Sequence, residues 1–335
     1  MSLMQRLRER AAASPQRVAF FEGDNPKIVQ AAAELTRDAL ASCVLVGDPS
    51  AIATAAEEAG ASLAGVELVD VTDKPGNERF GARFSELPDA PLTAKSAVRR
   101  AARPLYRALM MQRLGEVDVT FGGIDCPTGD VIYAGQSIVG LADGVSTVSS
   151  VGIFDVPGWD GGEGGMLAFG DSAVCANPTA EQLASIAVSC CDTVRGLCGW
   201  EPRCALLSYS TCGSAEGELV DKVREALSIA RGLRPDLKID GEFQLDSAIV
   251  PAVAAKKVPR ESAVAGRANV IVWPDINAGN IGVKLVQTFG RADAYGPMLQ
   301  GFRGIVCDCS RSAPVSELVG NVVMGCVRAQ ALRGE

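Results

Sequence analysis

Three stretches in the second half of the chain concentrate residues able to hold an anion or move a proton. Leu207-Ser-Tyr-Ser-Thr-Cys-Gly-Ser-Ala215 carries hydroxyls at Ser208, Ser210, Thr211 and Ser214 beside a flexible Gly213. Such a loop can donate backbone N–H and hydroxyl hydrogen bonds to phosphate oxygens. Pro274-Asp-Ile-Asn-Ala-Gly-Asn-Ile-Gly282 sets Asn277 and Asn280 around Gly279 at the start of a helical pattern, with Lys284 just beyond. Asp308-Cys-Ser-Arg-Ser-Ala-Pro-Val-Ser-Glu317 puts Ser310 and Arg311 before a helix whose first turn carries Glu317. Taken singly, each stretch also reads as an ordinary turn or helix cap, and a first-turn glutamate is favoured by the helix macrodipole. Together, three anion-suited loops and an adjacent serine, arginine and carboxylate point to a site.

What the chain lacks narrows the chemistry. Its 335 residues include no histidine, which removes Ser/His/Asp and Cys/His pairs, histidine bases and histidine-ligated metals together. Proton transfer must fall to a carboxylate, lysine, tyrosine or thiol. The formal charge of −8 repels a polyphosphate backbone, so nucleic acid is not an expected partner. At 47% hydrophobic and 21% charged residues, the chain is a folded one, long enough for two cores of ordinary size. Its 11 cysteines include no CxxC and follow no secretory signal. They read as small buried hydrophobes in a reducing cytoplasm, with no metal site. No apolar run is long enough to span a membrane.

The elements that must position these residues alternate in a β/α rhythm. Val18–Phe21 reads as a strand, Lys27–Ala41 as a helix and Cys43–Val46 as a strand. Ile28, Ala31, Ala32, Leu35 and Ala39 line one face of that helix. A strand at Val66–Val69 follows, then a helical region from Thr93 to Leu114 broken at Pro104, and a strand at Val117–Phe121. The stretch from Gly122 to Gly165 is rich in Gly, Ser and Thr, and its Asp155–Gly165 run reads as a loop between strands at Thr147–Val156 and Met166–Phe169.

A second series then begins with a helix capped by Thr179 and Gln182. Strands are expected at Arg203–Tyr209, Asn269–Trp273 and Gly304–Cys307. Helices are expected at Glu216–Arg231, Asp246–Lys257, Asn277–Phe289 and Pro314–Leu332. Continuous apolar strands between amphipathic helices imply α/β domains with mostly parallel sheets covered on both faces, and ligands held where strands end.

Over nearly its whole length the sequence resembles the phosphotransacetylases (phosphate acetyltransferases), of the phosphate acetyl/butyryl transferase superfamily. The resemblance rests on Asn177-Pro-Thr-Ala-Glu181, Leu207-Ser-Tyr-Ser-Thr211, Leu233–Asp236 through Asp240-Gly-Glu242, and Ala265-Gly-Arg-Ala-Asn269. Its most specific parts are Pro274–Gly282 with Lys284, Gly296-Pro-Met-Leu-Gln-Gly301 and Asp308-Cys-Ser-Arg311, and Glu22-Gly-Asp24 also fits. The resemblance implies two α/β/α domains of isocitrate-dehydrogenase-like type with an active-site cleft between them. Residues 1–145 and 298–335 would form the first, the C-terminal helix returning to it, and residues 146–297 the second.

It further implies a homodimer that moves an acyl group reversibly between coenzyme A and inorganic phosphate, by way of acetyl-CoA and acetyl phosphate. Coenzyme A is then a substrate, and no tightly bound cofactor or metal is expected. Ser310 and Arg311 match the family's serine and arginine. Glu317 stands where the family usually has Asp, keeping the proton acceptor with one more methylene. Ser208, Ser210, Thr211, Gly213, Asn277, Gly279, Asn280 and Lys284 are the expected substrate-binding residues.

Three places in the chain depart from the family. Two arginines of its substrate site align with Tyr133, after Gly122-Gly123, and with Pro88, and its Lys-Pro pair is Gly304-Ile305 here. Arg99, Arg100, Arg103 and Arg107 lie nearby and read first as a solvated basic helix face. Two alternatives stay open at this point. One is the same reaction on a longer acyl group, with the Tyr133 and Trp159 regions reshaping the pocket. The other is a catalytically weak acetyl-CoA-binding regulatory relative, comparable to the phosphotransacetylase-like domain fused to some malic enzymes.

Overall fold

The strands run in chain order as β1 (Gln16–Phe20), β2 (Ala41–Gly47), β3 (Glu67–Asp70), β4 (Val119–Phe121), β5 (Ser149–Asp155), β6 (Met166–Gly170), β7 (Arg203–Leu207), β8 (Lys238–Phe243), β9 (Val270–Val272), β10 (Asp293–Gln300) and β11 (Ile305–Cys307). The computed structural model describes residues 1–334, so Glu335, the end of the expected first domain, lies outside the described residues. The chain divides into two compact units, Met1–Gly140 with Phe302–Glu335, and Leu141–Gly301.

The first unit is built on a parallel sheet in the order β11-β4-β1-β2-β3. Its central strands are apolar on both faces, Val18, Ala19, Phe20, Val44, Leu45 and Phe121 all being fully buried, as a sheet covered on both sides requires. The helix Pro26–Arg37 starts on an Asn25 side-chain cap with Pro26 in its first turn, and buries Ile28, Ala31, Ala32 and Leu35. It ends earlier than its apolar spacing suggests, because Ala39 turns the chain at φ 52° and Ala41 already belongs to β2.

The last helix, Val315–Arg333, buries Leu318, Val322, Val323, Met324, Cys326 and Val327. Gly325 lets its backbone come close to the sheet, since a Cβ there would lie 3.1 Å from Cys307 Sγ and 3.2 Å from Val119 Cγ1. Four helices carry no reading from the sequence: Leu3–Ala13, Pro49–Ala59, Lys74–Ser85 and Thr128–Ile138. The last sits inside the Gly/Ser/Thr-rich stretch. There Val131, Ala134, Gly135 and Ile138 bury one face despite the weak composition.

The second unit holds a mixed sheet in the order β10-β5-β6-β9-β7-β8. β6, β9, β7 and β8 are parallel neighbours, while β5 pairs antiparallel with both β6 and β10. The helix Ala180–Cys198 opens on the reciprocal Thr179–Gln182 cap that the sequence suggested. The expected Asp246–Lys257 helix is two, Leu245–Ile249 and Pro251–Lys257, because Pro251 cannot supply the N–H that would join them. Of the cysteines, Cys126, Cys175, Cys198 and Cys212 are only partly buried, so the reading as core hydrophobes holds for the other seven.

Candidate active site

In the first unit the chemistry-bearing residues follow three neighbouring parallel strands, so their loops emerge side by side at one edge of the sheet. After β1 comes Glu22, buried, whose carboxylate accepts the backbone N–H groups of Gly123 and Ile124 at 2.8 Å each, Asp125 at 3.0 Å and Cys126 at 2.6 Å. This pins the segment that follows β4 and delivers Thr128 to the start of its helix. After β11 comes Asp308, which accepts a hydrogen bond from the Thr128 hydroxyl. Burial pushes the Asp308 carboxyl up to about 6, against the pull of the Thr128 bond.

Ser310 and Arg311 follow and are exposed. The Ser310 carbonyl accepts the Ala313 N–H at 3.0 Å, forming a turn, and its Oγ lies 3.1 Å from Ser312 Oγ. Lys27 Nζ donates to the Ala313 carbonyl at 3.2 Å, tying the turn to the helix after β1. Glu317 is exposed in the first turn of the last helix. Arg311 forms no ion pair among the described residues, leaving its guanidinium open to a ligand anion.

In the second unit the loop after β7 is wrapped around Glu242, whose side chain is buried. Glu242 Oε1 accepts the Ser210 hydroxyl and the Gly213 N–H, both at 2.9 Å, and Arg224 Nε lies 3.1 Å from Oε2. Burial opposes the Glu242 charge, but Arg224 and the N–H and hydroxyl donors win and hold the carboxyl below its usual range. The Thr211 hydroxyl donates to Ser247 and accepts the Gln244 N–H. Every N–H from Ser210 to Ala215 is used inside the protein. Ser210, Thr211 and Gly213 therefore hold the loop in shape, while the half-buried Ser208 and exposed Ser214 sit nearer solvent.

Ser208 lines a cavity of about 350 Å³ with Tyr209, Lys222, Trp273, Pro274 and Asp275. Lys222 Nζ reaches the Pro274 carbonyl at 2.9 Å and Asn177 Oδ1 at 3.1 Å. Asp275 caps the helix Ile276–Phe289 through the N–H groups of Asn277 and Ala278. Gly279 and Gly282 are dictated by packing. A Cβ at Gly279 would lie 2.3 Å from the Asp171 carbonyl oxygen, and one at Gly282 would lie 2.6 Å from the Trp273 ring. Asn280 Nδ2 donates to the Ser172 carbonyl at 3.3 Å, and Asn277 and Lys284 are exposed.

Comparison with known proteins settles what this pattern belongs to. The family model described as phosphate acetyl/butaryl transferase matches residues 2–326. The chain belongs to this phosphate acetyl/butaryl transferase family. It is 41% identical over 331 residues to the phosphate acetyltransferase of Clostridium acetobutylicum, covering 98% of this chain and 99% of that one. It is 40% identical to that of Thermoanaerobacterium thermosaccharolyticum, covering 98% and 100%. A phosphotransacetylase from Streptococcus pyogenes superposes with a TM-score of 0.90 at 32% identity, over 98% of this chain and 99% of that one.

Among the positions where this phosphate acetyl/butaryl transferase departs from the expected pattern, Tyr133 lies on the helix Thr128–Ile138 with 62% of its surface exposed, and Pro88 is exposed. Gly304 packs on Gln112. The arginines are not all a solvated face. Arg100 and Arg103 lie over the Tyr106 ring at 5.3 and 4.8 Å, and Arg107 lies 3.6 Å from the Phe80 centroid with Nη1 on Asn77.

Sequence reasoning gave no role to Glu22, Asp171, Lys222, Glu242, Trp273 or Asp308. Glu22, Glu242 and Asp308 lie inside the motifs quoted above, and that was their only signal.

Proposed function

We propose that Ser310, Arg311 and Glu317 carry the chemistry of this phosphate acetyltransferase, which moves an acetyl group reversibly between coenzyme A and inorganic phosphate. Glu317 takes the proton of the coenzyme A thiol. A thiol with an ordinary pKa near ~8.5 is mostly protonated at neutral pH, so a carboxylate that accepts the proton during attack raises the reactive fraction. The thiolate forms a C–S bond to the carbonyl carbon of acetyl phosphate, and the C–O bond to phosphate breaks. The Ser310 hydroxyl donates to the carbonyl oxygen as it becomes negative, and the Arg311 fork takes the departing phosphate. In the other direction phosphate attacks acetyl-CoA, and Glu317 returns its proton to the leaving thiolate. Coenzyme A serves as substrate, and no step calls on a bound cofactor.

One observation carries this reading: hydroxyl, guanidinium and carboxylate project from one short exposed segment at the C-terminal edge of the first sheet. Thr128 holds the Asp308 side chain just before it, and Lys27 holds the Ala313 carbonyl within it. In the second unit, Ser208, Asn277, Asn280 and Lys284 meet substrate, while Ser210, Thr211, Gly213 and Gly279 shape the loops that present them. The partners are small molecules rather than nucleic acid or a membrane. No helix among the described residues is long and apolar enough to cross a membrane. A cytoplasmic setting fits the free thiols. A homodimer is supported by the exposed ridge of Ile281, Leu285 and Phe289, which are 60, 49 and 80% exposed at helical spacing.

The test is phosphate-dependent release of coenzyme A from acetyl-CoA by wild type, Ser310→Ala and Glu317→Gln. Turnover by the wild type should fall at least about tenfold in each variant, a loss of roughly 1.4 kcal/mol of transition-state stabilisation. Full activity in both would remove the proposed roles. Faster release from butyryl-CoA than from acetyl-CoA would move the reading to a longer acyl group.

A further inference from the structure

Asp308 is the residue on which the reaction segment hangs. It follows β11 directly and precedes Ser310 by two positions. Its Oδ2 accepts the Thr128 hydroxyl, while its Oδ1 is buried with no hydrogen-bond partner. Gly123 provides the space for that oxygen. At φ 112°, where a side chain is rarely tolerated, a Cβ would stand 1.9 Å from Asp308 Oδ1 and 3.0 Å from the Cys309 nitrogen. The wall beside Asp308 is itself fixed, because the N–H groups from Gly123 to Cys126 all end on Glu22. A continuous path of support thus runs from Glu22 through the segment after β4 to Thr128, and from Thr128 to Asp308.

We propose that Asp308 is a positioning residue for the transfer reaction, its carboxylate tied to the Thr128 hydroxyl so that Ser310 and Arg311 project from a fixed backbone. This rests on the roles given above to Ser310 and Arg311. The ionisable groups around it are Glu22 after β1, Cys126 and Asp130 from the segment bearing Thr128, Arg103 acting on Cys126, the adjoining thiols Cys307 and Cys309, Arg328 of the last helix acting on Cys307, and Glu317 acting on Cys309. Burial and Glu22 oppose a charge on Asp308, while the Thr128 bond first and the Cys309 backbone N–H second favour one. Removing the Thr128 hydroxyl therefore raises the pH at which Asp308 takes up a proton.

Thr128 is exposed, so Thr128→Val trades its hydroxyl for a methyl at little risk to the fold. Steady-state release of coenzyme A would be followed across pH for wild type, Thr128→Val, Thr128→Ser and Asp308→Ala, with Ser310→Ala alongside. At about pH 8, Thr128→Val should lower kcat about tenfold, the size expected for one hydrogen bond to a charged group, with KM for acetyl-CoA within about twofold. Its acid limb should move to higher pH, and Thr128→Ser should restore both. Support through folding alone would lower the melting temperature without moving the acid limb.

Wild-type kcat and acid limb in Thr128→Val, with Ser310→Ala inactive, would overturn the positioning role while leaving the proposed chemistry standing. Full activity in Ser310→Ala would overturn both. Should Thr128→Val fail to fold by circular dichroism, Asp308→Ala decides: a drop in kcat of about tenfold or more supports the role, and wild-type kcat refutes it.

Discussion

Replacing Glu22 by Gln should destabilise the first unit by several kcal/mol and slow the enzyme through a residue that takes no part in the chemistry. Glu22 Oε2 accepts the N–H groups of Gly123 and Ile124, and Oε1 accepts those of Asp125 and Cys126. Glutamine keeps one of these oxygens and puts an NH2 in place of the other, so two backbone donors come to face a donor. With the side chain only 7% exposed, water cannot readily take over. Each orphaned donor costs about 1–3 kcal/mol, giving about 4 kcal/mol in all before counting the weaker bonds to the remaining neutral oxygen. For a unit of this size each kcal/mol moves the midpoint by about 2–4 °C, so Tm should fall by about 8–16 °C.

Calorimetry would measure this, with Glu57→Gln as an exposed control expected to melt with the wild type. Turnover measured well below both transitions should also drop, because the segment held by Glu22 leads into Thr128. A Glu22→Gln protein melting within about 2 °C of wild type would refute the reasoning, since the four N–H groups would then have other acceptors.

Three further outcomes are expected. Gly279→Ala should raise KM for acetyl-CoA about tenfold or more, because its Cβ would come within 2.3 Å of the Asp171 carbonyl and push the Asn277–Asn280 turn aside; an unchanged KM would show that this turn does not meet the substrate. Phe289→Asp, at a site 80% exposed, should shift the sedimentation coefficient from dimer toward monomer without lowering Tm of the monomer fold. Asp308→Asn should be more stable than wild type at neutral and alkaline pH. The folded-state pKa is raised to about 6, so the native protein favours the protonated carboxyl and loses that stability as pH rises through 6. Asparagine removes the charge, and the gain, at most about 3 kcal/mol, should vanish below about pH 4, which thermal melts from pH 4 to 8 would show.

The architecture was legible where side-chain periodicity was strong. The helix Pro26–Arg37 shows its buried face in the sequence, and Thr179 with Gln182 marks the start of the helix Ala180–Cys198. The helix Thr128–Ile138 was not legible, because glycine and short polar residues dilute its apolar face and only its packing reveals it. The trio proposed to react, Ser310, Arg311 and Glu317, was picked out by residue types in a short segment. What the sequence could not show was the direction of each hydroxyl and N–H in the loops.

That gap has one physical cause, repeated three times. Glu22 gathers the N–H groups after β4, Asp171 gathers those of Ala173, Val174 and Cys175 after β6, and Glu242 gathers Ser210 and Gly213 after β7. A buried carboxylate in each turn occupies the donors that a glycine- and serine-rich loop would otherwise offer to phosphate. The loop after β7 looks like an anion cradle in sequence because the same donor geometry serves an internal anion as well as a bound one. With the backbone donors of that loop spent, the reaction proposed above leaves phosphate to a side chain, and Arg311, exposed and without an ion pair among the described residues, is the one proposed to meet it. The rigidity that Glu22 confers on the segment leading to Thr128, and through Thr128 to Asp308, is then what the proposed placement of Arg311 depends on, which is why removing Glu22 should reach the chemistry from outside it.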